Sequence, residues 1–232
     1  MILALELWGP SHLSTLATTT VIALGMIAVA RWSADPRTAK RLGWMLAIVL
    51  LVTHIVSIWW AVRSGWATAT NLLPCHLCDW ATAVAILALV SRDQLAYELT
   101  YFWGLAGTIQ SMLTPDLDHD FPAIEFVTFF VAHGGVIVAA LFLTFGYGLR
   151  PQRGALLRVF LWTNVYAALV MLVNVLTGEN YGYLRAKPMN PSLLDFLGPW
   201  PFYILVLELL ALLFFCILYV PFFFLDRVRR NR

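Results

Sequence analysis

Charge is what this sequence has least of. Lys and Arg contribute 15 residues and Asp and Glu 13, together 12% of 232, where a soluble domain carries roughly 25%. So little charge cannot coat a water-facing surface of this size, which excludes a soluble globular enzyme. Disorder is excluded as well, because 61% of the residues are hydrophobic. A formal net charge of +2 gives no basic excess, so nucleic acid is not an expected partner. Three cysteines are too few for a disulfide framework, and two of them, Cys75 and Cys78, lie three residues apart. There is no low-complexity tract and no linker rich in Pro, Gly or Ser. No internal repeat is apparent, which weighs against an inverted-repeat transporter. The apolar runs do not alternate with polar residues, so a β-barrel is excluded. Met1 to Gly9 has no basic residue and carries Glu6, unlike a signal peptide, so the first apolar run is expected in the mature protein. What is left is a polytopic membrane protein.

A helix crossing the hydrocarbon layer needs about 20 mostly apolar residues. Seven stretches meet that length: 13–32, 42–62, 72–91, 95–113, 121–146, 155–177 and 199–225. Their connections divide sharply by charge. Those after the first, third and fifth spans, together with the C-terminal tail, hold 12 Lys and Arg residues. The other side holds only Arg63, Arg185 and Lys187. Because Lys and Arg stay cytoplasmic, the expected fold is all-α, with residues 1–232 forming one seven-helix transmembrane bundle. Its N-terminus lies outside and its C-terminus in the cytoplasm. Trp8, Trp32, Trp44, Trp66, Tyr147 and Trp200 fall near the expected interfaces. The longest connection, 178–198, is too aromatic and apolar for a solvated loop and is expected to fold over the outer mouth of the bundle.

Ionisable groups inside a membrane are costly, so each asks for a partner or a purpose. The richest group opens the third span as Leu73-Pro74-Cys75-His76-Leu77-Cys78-Asp79. Pro74 suits the first turn of a helix, which places Cys75 in that turn, where the helix dipole favours a thiolate. Cys78 and Asp79 follow at spacings that share its face. A thiolate can attack an ester carbonyl when a base and an oxyanion donor are at hand. The best candidate base is His133, in Ala132-His133-Gly134-Gly135, about 18 Å below the outer end of its span. His54, counted from the inner end of its own span, reaches a similar depth. His12 and His76 belong to outer ends. Straight helices leave Cys75 well above His133, a gap that a tilt or a later helix start must close.

Plainer readings stand beside these. Cys216 reads as a packing residue, and the Cys75/Cys78 pair and the two deep histidines can equally serve packing and interhelical bonding. A Cys-x-x-Cys with His76 and Asp79 can bind zinc, yet no second ligand pair accompanies it, so no metal or other cofactor is expected. Asp79, Gln110, Glu125, Asn164, Asn174 and Glu208 either line a cavity or tie helices together. The turn Asp116-Leu117-Asp118-His119-Asp120 can hold a cation but reads first as a solvated loop. Arg185 and Lys187 stand where a lipid phosphate would lie.

Several segments together resemble the bacterial YwaF-like integral membrane family. They are Leu73 to Asp79, Gly107-Thr108-Ile109-Gln110 through Thr114-Pro115-Asp116, His133-Gly134-Gly135, Asn180-Tyr181-Gly182-Tyr183-Leu184, and Lys187-Pro188-Met189-Asn190-Pro191-Ser192-Leu193-Leu194-Asp195. The last is the most specific, and the resemblance runs along nearly the whole chain. That family is related to the eukaryotic transmembrane protein 164, implicated as a cysteine-dependent acyltransferase of ether phospholipids. The resemblance implies a seven-helix bundle in which Cys75 matches the proposed nucleophile and His133 a membrane histidine. The bacterial pattern often reads Leu-Pro-Leu-His-Leu-Cys, with cysteine only at the position of Cys78, so both thiols stay candidates.

The expected function is therefore that of a lipid-modifying membrane enzyme, transferring or hydrolysing an acyl chain on a phospholipid or lysophospholipid. Cys75 is the expected nucleophile, His133 its base, and His76 or His54 a second proton shuttle. Asn180, Tyr181, Tyr183, Lys187, Asn190, Asp195 and Gln110 are the expected headgroup contacts. The shape suits a bacterial inner membrane. A transporter using intramembrane His, Asp and Glu residues, or a heptahelical sensor of a small apolar ligand, is the alternative.

Overall fold

The structure, a computed structural model, describes residues 4–65, 67–68, 72–188 and 193–230. It is helical throughout, and among the described residues the only β pairing is an isolated bridge between Ala4 and His119. Helix α1 spans Pro10–Trp32, α2 Thr38–Arg63 and α3 Leu77–Ser91. Helix α4 (Gln94–Phe102) runs through a π-helical stretch, Trp103–Thr108, into α5 (Ile109–Leu113). Helix α6 (Ile124–Leu141) ends in a second π-helical stretch, Phe142–Gly146, and is followed by α7 (Ala155–Thr177) and α8 (Phe202–Arg230).

Five of these helices are long and apolar enough to cross a membrane: Pro10–Trp32, Thr38–Arg63, Ile124–Gly146, Ala155–Thr177 and Phe202–Leu225. Their outward faces carry large apolar side chains such as Ile48, Ile55, Leu172, Leu176, Leu205 and Leu209, the reverse of a soluble helix. This is a membrane protein. Helix α3 is shorter, at 15 residues, and α4 through α5 form a continuous helical run of 20. The expected boundaries hold to within a few residues except at the third span. There Pro74, Cys75 and His76 precede the helix, which begins at Leu77, so the residue in the first turn is Cys78 and not Cys75.

The described contacts divide the chain into two compact units, residues 1–74 with 78–149 and residues 75–77 with 150–232. In the first unit α6 is the central element, with Phe126, Phe130 and every residue from His133 to Ala140 buried. Without a hydrophobic force between helices in lipid, close packing and polar ties must hold them. Gly134 and Gly135 supply the close packing. A Cβ on Gly134 would lie 2.9 Å from Thr19 Oγ1 of α1, and one on Gly135 would lie 2.6 Å from Leu50 Cδ2 of α2. Trp60 Nε1 donates to Glu125 Oε1 at 2.9 Å, joining α2 to α6. His12 is fully buried; its Nε2 bonds the Met112 carbonyl at 2.7 Å and its Nδ1 accepts from the Trp8 N–H. The hydroxyls of Thr15, Thr18, Thr19 and Thr20 each return to a carbonyl one turn back in α1, which satisfies them inside an apolar layer.

In the second unit α7 and α8 pack together, and Asn164 Nδ2 donates to Glu208 Oε2 at 3.2 Å between them. Such interhelical bonds contribute about 0.6 kcal/mol each on average. Glu125, Asn164 and Glu208 thus act as ties.

Candidate functional site

The chain after α7 is built around one buried amide. Gly178 takes a left-handed φ of +79° and its N–H caps the Asn174 carbonyl, the usual glycine stop for a helix. The Asn174 side chain, fully buried, then closes a ring with the chain it has just released. Its Nδ2 donates to the Tyr181 carbonyl at 2.9 Å and its Oδ1 accepts the Tyr181 N–H at 2.7 Å. Asn180 stitches the next turn, accepting from the N–H groups of Arg185 and Ala186 and donating to the Ala186 carbonyl. Gly182 and Tyr183 both adopt positive φ, +63° and +53°. A non-glycine residue there costs about 1–2 kcal/mol, and Tyr183 is held by the Tyr203 hydroxyl donating to its carbonyl.

This folded loop takes hold of the segment ahead of α3. Tyr166 of α7 donates its hydroxyl to the Cys75 carbonyl at 3.0 Å. The Gly182 N–H points at His76 Nδ1 at 3.4 Å. The Tyr181 and Tyr183 rings flank the His76 imidazole, at 5.4 Å edge-on and 6.0 Å tilted. Glycine is required at 182, since a Cβ there would come within 2.9 Å of the Tyr166 hydroxyl. Tyr181 is fully buried. Burial raises its phenol above the ordinary range, and the nearby Cys75 thiol and Glu179 raise it further. A half-buried thiol, an imidazole with its Nδ1 occupied and a phenol that stays protonated are therefore assembled in one unit.

A family model described as the TMEM164 family matches residues 7–219. The chain belongs to the TMEM164 family. An uncharacterized protein of Treponema pallidum (strain Nichols) is 26% identical over 152 residues, 66% of this chain and 63% of its own length. The chain thus matches less than two thirds of that relative. No solved structure matches.

The remaining candidates from the sequence have other surroundings. His133 lies in the first unit, buried in α6, with its ring stacked on Phe129 at 4.0 Å. Its Nδ1 contacts the Phe129 carbonyl at 2.8 Å. A carbonyl only accepts, so the proton sits on Nδ1 and Nε2 keeps its lone pair. Cys78 opens α3, its carbonyl accepting the Thr82 hydroxyl. His54 is half-buried on α2, and no hydrogen bond to its ring is among the described contacts. Gln110 belongs to α5 in the first unit, its carbonyl accepting from Thr114. Lys187 reaches over the Tyr203 ring at 5.8 Å and toward the Asp195 carbonyl at 3.4 Å. Asp195 lies exposed in the short 3₁₀ turn Leu193–Leu197. Asn190 lies outside the described residues.

Two expected headgroup contacts are otherwise engaged. The Asn180 amide is used on the loop backbone, and Arg185 donates through one guanidinium nitrogen to the Asn174 and Glu179 carbonyls. Sequence reading missed Tyr166, Gly182 as a donor, and Trp200, whose Nε1 donates to the Leu184 carbonyl at 3.1 Å. Asn174 was visible as a polar residue in an apolar run. Tyr166 left no such signal, because an aromatic residue in a membrane span ordinarily packs.

Proposed function

We propose that this chain is a seven-span membrane acyltransferase, N-terminus outside, that moves a fatty acyl chain between phospholipid and lysophospholipid through a thioester on Cys75. A bacterial plasma membrane is the proposed setting, and the chemistry calls for no metal or organic cofactor. The observation that carries the reading is the capture of Cys75 and His76 by Tyr166, Tyr181, Gly182 and Tyr183. Membership of the TMEM164 family supports it, since that family's eukaryotic relative is implicated in the same chemistry. Glu125 and Glu208, which a transporter's polar path would use, are engaged as interhelical ties. The enzyme reading is preferred on that ground.

The proton inventory divides the roles. His133 offers an unprotonated Nε2 and is the proposed base. His76 accepts at Nδ1, so its proton is on Nε2 and it is the proposed donor. These roles rest on ring chemistry and on the family resemblance. In the first half-reaction the Cys75 proton passes to a general base and the thiolate sulfur attacks the ester carbonyl carbon. The C–O bond to glycerol breaks, the leaving oxygen takes the proton back from that base, and a lysophospholipid departs. In the second half an acceptor hydroxyl gives its proton to the base and attacks the thioester. The C–S bond breaks and the thiol is restored; water in place of the acceptor releases a fatty acid. Developing charge on the carbonyl oxygen calls for fixed donors, and the His76 Nε2–H and the Tyr181 hydroxyl are proposed for that task.

Intact-mass analysis of the purified full chain, after incubation with phosphatidylcholine, phosphatidylethanolamine and their lyso forms, tests this directly. The same tubes are profiled for lipid. The wild type should gain an acyl-sized adduct and exchange acyl chains, and Cys75→Ala should do neither while keeping its melting temperature. His133→Ala should slow exchange by about 10²–10⁴-fold, whereas His76→Gln, which retains an N–H, should lose less than His76→Ala. An adduct that survives Cys75→Ala and disappears with Cys78→Ala moves the nucleophile to Cys78. Proteins that are all stable and all inert across these lipids sink the reading.

A further inference from the structure

Helix α7 has two unlike faces. Ala155, Val159, Tyr166, Val170 and Asn174 are buried. At 3.6 residues per turn, Leu157, Leu161, Asn164, Ala168, Leu172 and Val175 fall within an arc of about 80° on the other side, and all of them are exposed. The apolar members of that stripe suit lipid, and Asn164 does not. It stands about 3 Å along the axis from the middle of the 23-residue helix. An amide at that depth finds no water, so its polar atoms need partners within the membrane. The nitrogen has them and the oxygen does not. Asn164 Nδ2 donates to the Phe160 carbonyl at 3.0 Å and to Glu208 Oε2 of α8 at 3.2 Å, which uses both of its hydrogens. Among the described residues, Asn164 Oδ1 and Glu208 Oε1 have no hydrogen-bond partner.

We propose that the chain self-associates through this face of α7, the Glu208 carboxylic acid of each copy donating its Oε1–H to Asn164 Oδ1 of the other. Two chains inserted the same way, related by a two-fold axis along the membrane normal, carry Asn164 and Glu208 at equal depth and on the same face. A second copy therefore brings the missing donor to the layer where it is needed. Oε2 keeps the amide of its own chain, and two bonds form across the axis. Leu161 and Leu172 of both copies close around them. Ala168, one turn from Asn164, is small enough to let the two backbones approach. This contact lies beyond the acyl-transfer reading, whose α7 residue, Tyr166, is on the opposite, buried face.

The test uses the purified full chain in neutral detergent, with association read by sedimentation equilibrium over a range of protein-to-detergent ratios. The wild type should dimerise as the ratio rises. Asn164→Leu and Glu208→Met should each weaken the dimer about ten-fold, whereas Glu208→Gln, which keeps a donor beside the same oxygen, should retain most of it. Ala168→Trp obstructs the contact while leaving the bond between Asn164 and Glu208 in place. It should weaken the dimer as much without lowering the melting temperature of the diluted protein, which separates association from folding. With the native cysteines changed to serine, Ala168→Cys should give a disulfide-linked dimer under mild oxidation. Val21→Cys, at an exposed position on α1, should not. Equal linking at both positions means chance collision and overturns the interface. Loss on Glu208→Gln as deep as on Glu208→Met overturns the acid-to-amide bond. A wild type that stays monomeric at every ratio overturns the second copy as partner and leaves the pair to a different membrane protein with a basic residue at that depth.

Discussion

His76 and His133 hold their single protons on opposite ring nitrogens, each fixed by a backbone group. A carbonyl on Nδ1 makes His133 an acceptor at Nε2, and an N–H on Nδ1 makes His76 a donor at Nε2. Tyr181 completes the set as a phenol that resists ionisation. Its shift has a consequence for stability. Burial, reinforced by Cys75 and Glu179, raises the folded-state value above the ordinary 10.0 of the unfolded chain. The stability it contributes is therefore whole below about pH 10 and is lost as pH rises through the higher folded value. Tyr181→Phe should cost about 1 kcal/mol near neutrality through its missing hydroxyl, yet its melting temperature should fall less steeply above pH 10 than that of the wild type. Thermal unfolding in detergent from pH 8 to pH 11 reads both effects. Tyr147, also raised by burial and opposed by Arg92, contributes equally to the two proteins and cancels. Parallel curves would mean that Tyr181 ionises as freely folded as unfolded.

Among the elements, α6 depends most on what its residues lack. Gly135→Ala places a methyl where Leu50 Cδ2 already stands, 2.6 Å away, and overpacking of this kind costs about 1–3 kcal/mol. Leu50→Ala, which empties the same space, should be destabilising alone but should recover part of the loss when combined with Gly135→Ala. That non-additivity is measurable as a coupling in detergent unfolding, and strictly additive losses would show that the two do not share the space. The helix boundaries were legible in the sequence, because an apolar run of fixed length is a property of the local chain. The start of α3 was not. Pro74 suits a first helical turn, but Cys75 and His76 are held outside the helix by Tyr166 and Gly182, 91 and 106 residues along the chain. Local preference cannot report partners at that distance. The same holds for Asn180 and Arg185, which look like headgroup ligands until the loop they close is seen.

For the whole molecule, the number of crossings decides where Cys75 can meet its substrate. Five helices are long enough to cross by themselves, and α3 and the α4–α5 run are the two that bring the proposed number to seven. Both counts are odd, so tags on the two termini report opposite sides in either case and cannot choose between them. The Ser91-Arg92-Asp93 connection can. If α3 and α4–α5 both cross, it is cytoplasmic; if both turn back, it stays outside with residues 64–76 and 114–123. Arg92 favours the cytoplasm, joining the basic residues after α1 and after α6. Ser91 is exposed and close in size to cysteine; its hydroxyl accepts the Asp93 N–H, but changing it leaves the positive φ of Arg92 and the Asp93 side-chain cap on the Ala96 N–H in place. In a background with the native cysteines changed to serine, Ser91→Cys should resist a membrane-impermeant maleimide in intact cells and react once the membrane is opened. Cysteine at Glu179 should react from outside in both conditions. Labelling of Ser91→Cys in intact cells would reduce the crossings to five and turn α3 into a re-entrant element. Cys75 would still enter from the outer face, but α3 would then bring Cys78 into the layer without carrying the chain across it.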